Sequence, residues 1–163
     1  MVGTETHGVP SWLIVNIGDS RTYLSNSDGL RQLSVDHTVV QELIDAGAIS
    51  PAEASSHPSR NLLTRALLGR SGTRPTLATA DARRRPLVCS DGLTNEVDDR
   101  STAAVLRAVS DPQLAADELI SAAMRAGGRD DATALVIDVV AIPAGSVSDP
   151  DGTPSLTALY AGD

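Results

Sequence analysis

The chain has 163 residues, of which 41% are apolar, enough for one domain with a genuine core. A formal net charge of −8 argues against nucleic acid or an anionic membrane as a partner, because both bind basic surfaces. The single cysteine cannot form an internal disulfide, and no export leader or apolar run of membrane-spanning length is present. These features predict a cytoplasmic globular protein.

The first elements predicted in chain order are β-strands. Residues 12–17 are dense in strand-forming residues and stop at Gly18, which predicts a buried strand with Asp19 at its end. A hairpin follows, and its turn is predicted at Asp28-Gly29, a pair that accepts positive φ angles.

Two short helices are predicted next. From Thr38 the apolar residues recur every three or four positions, and this helix should end at Gly47. A second short helix over residues 51–55 is indicated by its Ser-Pro start. The apolar stretch over residues 57–69 fits a helix or a strand, and we favour a strand.

The second half of the chain begins with a polar segment. Residues 71–86 are predicted to form a loop, and residues 87–90 a buried strand that leads into an Asp-Gly pair. A helix that ends at Val109 follows, and either Asp99 or Ser101 can cap its start.

One longer helix and a last strand complete the predicted domain. Asp111 caps the helix, which runs to Arg125 and is closed by two glycines. Residues 132–140 predict the last strand. We expect one α+β domain with largely antiparallel sheet over residues 1–141, and a disordered tail or linker over residues 142–163.

Three aspartates each follow a strand end or a glycine turn. They are Asp19 in NIGDSR, Asp91 in CSDGL and Asp130 in GGRDDAT. Carboxylates that converge from such positions repel one another unless a metal ion neutralises them, so they are candidate metal ligands. Each aspartate taken singly can instead form an Asx turn or a helix cap, which is the commoner role.

Four ordered motifs resemble the type-2C metal-dependent Ser/Thr protein phosphatases, the PPM family, and its bacterial branch above all. The motifs are GDSRTYL, the segment from SVDHT to LTRAL, LVCSDGLTNEV and GGRDDATALVIDVV, within roughly residues 10–140. This resemblance implies an α+β fold, a β-sandwich of two antiparallel sheets flanked by helices, with a Mg²⁺ or Mn²⁺ cluster at one end.

The resemblance also implies roles for particular residues. The SDG aspartate and the first GGxDN aspartate of the family bind the catalytic metals, and these positions match Asp91 and Asp130. The GDSR aspartate, here Asp19, contributes to a third and weaker metal site. Residues 37–60 match a mobile flap near the substrate groove, and Asp131 stands where the family usually has Asn.

The implied activity is dephosphorylation of phosphoserine and phosphothreonine in proteins, in opposition to a Ser/Thr kinase. A metal-activated water performs the attack, so no catalytic residue beyond the metal ligands is required. Cys89 lies in an apolar strand pattern and is interpreted as a structural thiol. His37 and His57 are candidate general acids, although a helix-start role for His37 and a turn role for His57 are the favoured interpretations.

One departure from the family pattern limits this interpretation. Family members carry, before the GDSR segment, a DGxGGH motif whose aspartate bridges both catalytic metals, and this sequence has no such motif. The fold is therefore expected to be incomplete at its N-terminus, with unpaired strand edges and apolar faces exposed. Impaired hydrolysis by this chain, a non-catalytic phosphatase-like binding module and a truncated gene product all remain open.

Overall fold

A computed structural model of the protein describes residues 1–6, 9–26, 29–67 and 74–139. In these ranges the chain forms seven strands and five helices. In chain order they are β1 (Val2–Thr6), β2 (Val9–Asn16), β3 (Arg21–Asn26), β4 (Gly29–Gln32), α1 (Val39–Asp45), α2 (Pro51–Ala54), β5 (Thr76–Asp81), β6 (Arg85–Cys89), α3 (Asp91–Thr94), α4 (Asp99–Ala108), α5 (Pro112–Ala126) and β7 (Ala134–Val136).

The strands form two antiparallel sheets. The first has the order β1-β2-β5 and the second the order β4-β3-β6-β7. Every pair of neighbouring strands is antiparallel. The predicted α+β fold with two antiparallel sheets and flanking helices is therefore confirmed.

A small apolar cluster joins the two sheets. Ile14 of β2 and Ala80 of β5 pack with Leu24 of β3, and all three side chains are buried. Because side chains alternate along a strand, Leu24 and its neighbour Tyr23 face opposite sides of the second sheet. One face of the second sheet thus meets the first sheet.

The other face of the second sheet packs against the helices. Tyr23 and Leu87 lie in a cluster with residues of α3, α4 and α5. The helical members of that cluster are Leu93, Leu106, Ala115, Ala116, Leu119 and Ala123. With no Phe in the chain, aliphatic side chains, one Tyr and Cys89 fill this main core. The second sheet is accordingly the middle layer of the molecule.

The helices begin at capping residues, and for α4 the capping residue differs from the predicted one. Ser50 forms a capping box with Glu53 at the start of α2, and the Asp111 carboxylate accepts the Leu114 N–H at the start of α5. The cap of α4 is Asp98, which accepts the Ser101 N–H at 2.7 Å, so the predicted cap at Asp99 or Ser101 is wrong. With Asp98 as the cap, the helix begins at Asp99 and ends at Ala108.

The strand predicted over residues 57–69 is wrong for the part that is described, residues 57–67. Only Leu63 makes a bridge there, to Thr38. Leu62 and Leu67 are 61% and 81% exposed, so the apolar run does not reach either core. Apolar composition without a sheet edge to pair with does not form a strand.

The predicted loop over residues 71–86 and the predicted last strand over residues 132–140 also need correction. Strand β5 lies within that loop, because β2 offers it a partner along six residue pairs. Strand β1 was not predicted and pairs with the other edge of β2. The last strand shortens to β7, which pairs with β6 over three residues.

Some predictions fall outside the described residues. Asn26 pairs with Gly29, which confirms a hairpin between β3 and β4, but Asp28 of the predicted turn is outside the described ranges. So is the predicted tail over residues 142–163. No helix in the described part of the chain is both long and apolar enough to cross a membrane.

The outer side of the first sheet presents an apolar pair. Val15 of β2 lies opposite Leu77 of β5, and these side chains are 48% and 67% exposed. Helices α4 and α5 pack against the second sheet instead. These two side chains therefore form an exposed apolar patch on the first sheet.

Leu119 provides a test of the helix-to-sheet core. Leu119→Ala should lower the free energy of unfolding by about 3 kcal/mol, because the side chain is fully buried on α5 and leaves a cavity. Leu114→Ala on the same helix should change it by less than about 0.5 kcal/mol, since Leu114 is exposed. Urea denaturation followed by circular dichroism measures both, and equal losses would contradict this packing.

Candidate metal centre

The three predicted aspartates lie beyond the same end of the second sheet. Strand β6 runs antiparallel to both β3 and β7, with Arg21 and Ala134 each opposite Cys89. The residues that precede β3 and β7 therefore emerge beside those that follow β6. Strand pairing, rather than proximity in sequence, brings these segments together.

An open cleft of about 660 Å³ is lined by these three aspartates, and we call it the acidic cleft. Asp19 comes from the β2–β3 turn, Asp91 from the first turn of α3, and Asp130 from the loop between α5 and β7. Residues of α1 and α2 form another part of the cleft wall. The described structure thus places all three sequence candidates at one cavity.

The acidic cleft does not contain a complete set of protein ligands in the described part of the chain. There, no three His, Cys, Asp or Glu side chains come close enough together to hold one ion. The prediction that Asp19, Asp91 and Asp130 bind metal therefore stays a prediction. Carboxylate oxygens are nevertheless the donor type that Mg²⁺ and Mn²⁺ prefer.

Asp19 and Asp91 interact electrostatically across the acidic cleft. The pKa of Asp19 is raised, first because burial disfavours its charged form and second because the negative charge of Asp91 repels it. The charge of Asp36 acts in the same direction to a smaller extent. A cation between these carboxylates would relieve the repulsion.

The turn that carries Asp19 is held by a buried histidine. The Gly18 N–H donates to Nδ1 of His37 at 3.2 Å, and the His37 N–H donates to the Gly18 carbonyl at 2.9 Å. Gly18 has φ +106°, a conformation that suits glycine. His37 is 4% exposed and does not line the cleft, so its role in the described structure is structural.

Arg21 is an element of the site that residue-level sequence reasoning missed. Its Nε and Nη2 donate to the carboxylate of Asp36 at 2.9 and 2.7 Å. Gln32 also donates to Asp36, at 2.9 Å. The sequence signal for Arg21 was its place in the GDSR motif. The pairing itself could not be seen, because Asp36 lies fifteen residues further along the chain. Asp36 lines the acidic cleft, but this pairing already compensates its charge.

Ser90 joins the SDG segment to the loop of residues 127–133, which we call the aspartate loop. The Thr133 N–H donates to Oγ of Ser90 at 3.0 Å, and that hydroxyl donates to the Asp131 carbonyl at 3.3 Å. The Ser90 N–H donates to the Thr133 carbonyl at 3.1 Å. These bonds connect the two segments that carry Asp91 and Asp130.

Gly92 allows the closest approach between the same two segments. A Cβ at this position would lie 2.4 Å from the Asp131 carbonyl oxygen and 2.8 Å from its carbon. No side chain fits this space unless the backbone moves. The glycine of the SDG motif is therefore required here by packing against the aspartate loop, and not by a special φ angle.

The carboxylates of Asp91 and Asp130 have few hydrogen-bond donors in the described part of the chain. The Asp131 N–H donates to Oδ1 of Asp130 at 2.8 Å, and Asn95 reaches Oδ2 of Asp91 at 3.5 Å. Asp131 itself does not line the cleft. Oxygen atoms of Asp91 and Asp130 consequently retain capacity for a cation.

Cys89 and His57 both have structural surroundings in the described structure. Burial raises the pKa of the Cys89 thiol to about 12, so it does not form a nucleophilic thiolate near neutral pH. His57 accepts the Ser59 N–H at 3.1 Å, as a turn residue does. The interpretation of Cys89 as a structural thiol agrees with its burial.

Comparison with known proteins identifies relatives with this architecture. The Ser/Thr protein phosphatase PstP of Mycobacterium tuberculosis is 44% identical over 161 residues, and the Ser/Thr phosphatase Stp of Listeria innocua is 38% identical over 128 residues. These alignments include 91% and 77% of this chain. The chain is a homologue of the bacterial PPM-type Ser/Thr protein phosphatases.

Solved structures agree with this assignment. The crystal structure of M. tuberculosis PstP matches 79% of this chain with a TM-score of 0.74 and 43% identity. The PstP catalytic domain in complex with two manganese ions matches 78% of the chain with a TM-score of 0.65. No protein-family model matches the chain.

The chain spans only part of these relatives. It corresponds to 30% of the mycobacterial protein and 51% of the Listeria protein, and to 55% and 54% of the two crystallised chains. The PPM-type homology and the fold apply to the chain itself. The activity of the longer relatives belongs to their whole sequences.

Gly92→Ala tests the contact between the SDG segment and the aspartate loop. The added methyl group should lower the free energy of unfolding by about 1–3 kcal/mol and shift the amide resonances of Asp131 and Thr133. Gly47→Ala is the control: at φ +67° with open space around it, it costs about 1 kcal/mol of backbone strain. Gly47→Ala should leave the Asp131 and Thr133 resonances unchanged. If Gly92→Ala also left them unchanged, the contact would be refuted.

Asp91→Asn tests the repulsion across the acidic cleft. The pKa of Asp19 should fall, yet stay above its ordinary value, because burial is the larger cause of the shift. A raised pKa means that ionisation of Asp19 opposes folding, so its contribution to stability decreases as pH rises through the ordinary and then the raised pKa. NMR titration of side-chain carboxyl carbons measures the shift, with Asp117→Asn as control; an unchanged Asp19 pKa would contradict the interaction.

Proposed function

We propose that this protein binds Mg²⁺ or Mn²⁺ through Asp19, Asp91 and Asp130, and contributes these ligands to a phosphoprotein phosphatase centre. The observation that carries the proposal is the convergence of the three carboxylates on one cleft, in a fold homologous to PPM-type phosphatases. The negative charge of Asp91 repels that of Asp19, and a divalent cation between these two carboxylates would relieve the repulsion.

The residues present fit such an ion in chemistry but supply only part of its coordination. Asp91 and Asp130 present hard oxygen donors from segments that Ser90 and Gly92 hold in contact. Asp19 approaches from a separate turn that His37 secures. Divalent ions in such a centre lower the pKa of bound water and neutralise charge on the phosphoryl oxygens.

The rest of the cleft suits a phosphorylated polypeptide. The wall from α1 and α2 presents the apolar side chains of Val40 and Ile44, and Arg60 lies at the same wall. An arginine can pair with a phosphate group, while apolar side chains can contact residues beside a phosphorylated Ser or Thr. The substrate class proposed is therefore phosphoserine and phosphothreonine in proteins.

Partners and setting are part of the same proposal. Substrates of this kind are products of Ser/Thr kinases, so the protein would oppose such a kinase. Its one cysteine is buried and free, which accords with a reducing compartment such as the cytoplasm. The division into a phosphatase domain over residues 1–141 and a tail over residues 142–163 also belongs to the proposal.

Calorimetric titration of Mn²⁺ into the 163-residue chain tests the metal site. We expect weak binding by the wild type, and a loss of affinity of at least about tenfold in Asp130→Ala, because one charged oxygen donor is removed. Asp117→Ala, an exposed aspartate on α5, should bind as the wild type does. Equal affinities in all three proteins would refute the proposed ligands.

Hydrolysis of p-nitrophenyl phosphate and of a phosphothreonine peptide tests turnover. With Mn²⁺ present, the chain alone should show little or no phosphate release, because in its described part no three ligating side chains meet around one ion. Binding of Mn²⁺ without turnover would fit a centre that is completed by further protein ligands. Robust turnover abolished by Asp91→Asn would show that this chain suffices and that the expected impairment is wrong.

A further inference from the structure

An ion pair at the wall of the acidic cleft joins the end of α3 to the aspartate loop. Nε of Arg129 donates to Oε1 of Glu96 at 2.8 Å, and Nη2 donates to Oε2 at 3.2 Å. Glu96 follows the end of α3, and Arg129 directly precedes Asp130. Two separate N–H donors engage both carboxylate oxygens, so the pair restricts direction as well as distance.

The two partners differ strongly in exposure. The Glu96 side chain is 2% exposed, whereas that of Arg129 is 76% exposed. A carboxylate so well covered needs its charge compensated, and Arg129 is the group that pairs with it. A Cβ on Gly127 would lie 3.1 Å from Oε2 of Glu96, so the carboxylate also lies close against the start of the aspartate loop. Glu96 therefore contacts this loop at two places.

Arg129, whose side chain is bonded to Glu96, directly precedes Asp130 in the chain. The carboxylate of Asp130 bonds only to the N–H of the next residue, Asp131, within the aspartate loop. Ser90 and Gly92 hold the loop on its C-terminal side, at Asp131 and beyond. On the N-terminal side, the other hydrogen bonds that the described structure shows are those of the α5 cap, made by the N–H groups of Gly127 and Gly128.

We propose that Glu96 and Arg129 are positioning residues, whose ion pair orients the aspartate loop so that Asp130 faces the acidic cleft. This inference rests on the proposed metal binding by Asp130. Arg129 restrains the backbone one residue before the ligand, and Glu96 anchors Arg129 to the SDG segment that carries Asp91. The pair thus sets the separation of two carboxylates that come from different parts of the chain.

Hydrogen exchange measured by NMR tests the restraint without any metal. In Glu96→Gln and in Arg129→Gln, the amide of Asp131 should exchange at least about tenfold faster than in the wild type, as expected when a charge-assisted hydrogen bond is lost. The amide of Leu87, in the middle of β6, should be unaffected and so report intact folding. Glu118→Gln, which breaks an exposed ion pair with Arg125, is the matched control.

Calorimetric titration with Mn²⁺ then tests the consequence for the ion. Both single variants should bind Mn²⁺ about tenfold more weakly than the wild type, the size typical for loss of a group that orients a ligand. The exchanged pair, Glu96→Arg with Arg129→Glu, should restore most of the affinity and the slow exchange at Asp131. If Glu96 instead bound the ion directly, the exchanged pair would not restore the Mn²⁺ affinity.

Three results would contradict the positioning role or the proposed metal binding. Wild-type exchange at Asp131 in both single variants overturns the proposal. So does fast exchange with unchanged Mn²⁺ affinity, since the loop would then move without effect on the ligand. A wild-type chain that binds no Mn²⁺ but shows the expected exchange pattern refutes the proposed metal function, and supports Glu96 and Arg129 as restraints on the loop.

Discussion

The site depends on the close contact between the SDG segment and the aspartate loop. Gly92 lies so near the Asp131 carbonyl that no Cβ fits between them, and the Ser90 hydroxyl bonds to both Asp131 and Thr133. Because the pairing of β6 with β7 ends just before this contact, the sheet delivers both segments to one place. The like-charged carboxylates of Asp91 and Asp130 are thereby held at the same cleft.

Several independent restraints converge on this cleft from different layers. The turn with Asp19 is tied to His37, Arg21 compensates the charge of Asp36, and Arg129 is paired with Glu96. None of these bonds lies in the main core. Polar interactions therefore stabilise the loops at this end of the second sheet. Without them, repulsion between the clustered negative charges would favour separation of the loops.

Much of the local structure could be predicted from sequence, because it depends on neighbouring residues. The Ser50 capping box and the Asp111 cap require only a side chain and the next turn of backbone. The run over residues 57–67 shows the opposite case. Its apolar residues suit a strand locally, yet the described sheets offer no edge beside it, and its side chains remain largely exposed.

For the candidate site, too, some features could be predicted from sequence and others only from the tertiary structure. The sequence alone identified the candidate ligands, since Asp19, Asp91 and Asp130 stand in short motifs that a single chain displays directly. Only the tertiary structure decided that they share a cleft, that Gly92 is needed for a backbone contact, and that Glu96 pairs with Arg129 across 33 positions. The physical reason is that charge repulsion, burial and bidentate hydrogen bonding act through space, and antiparallel strand pairing sets those distances.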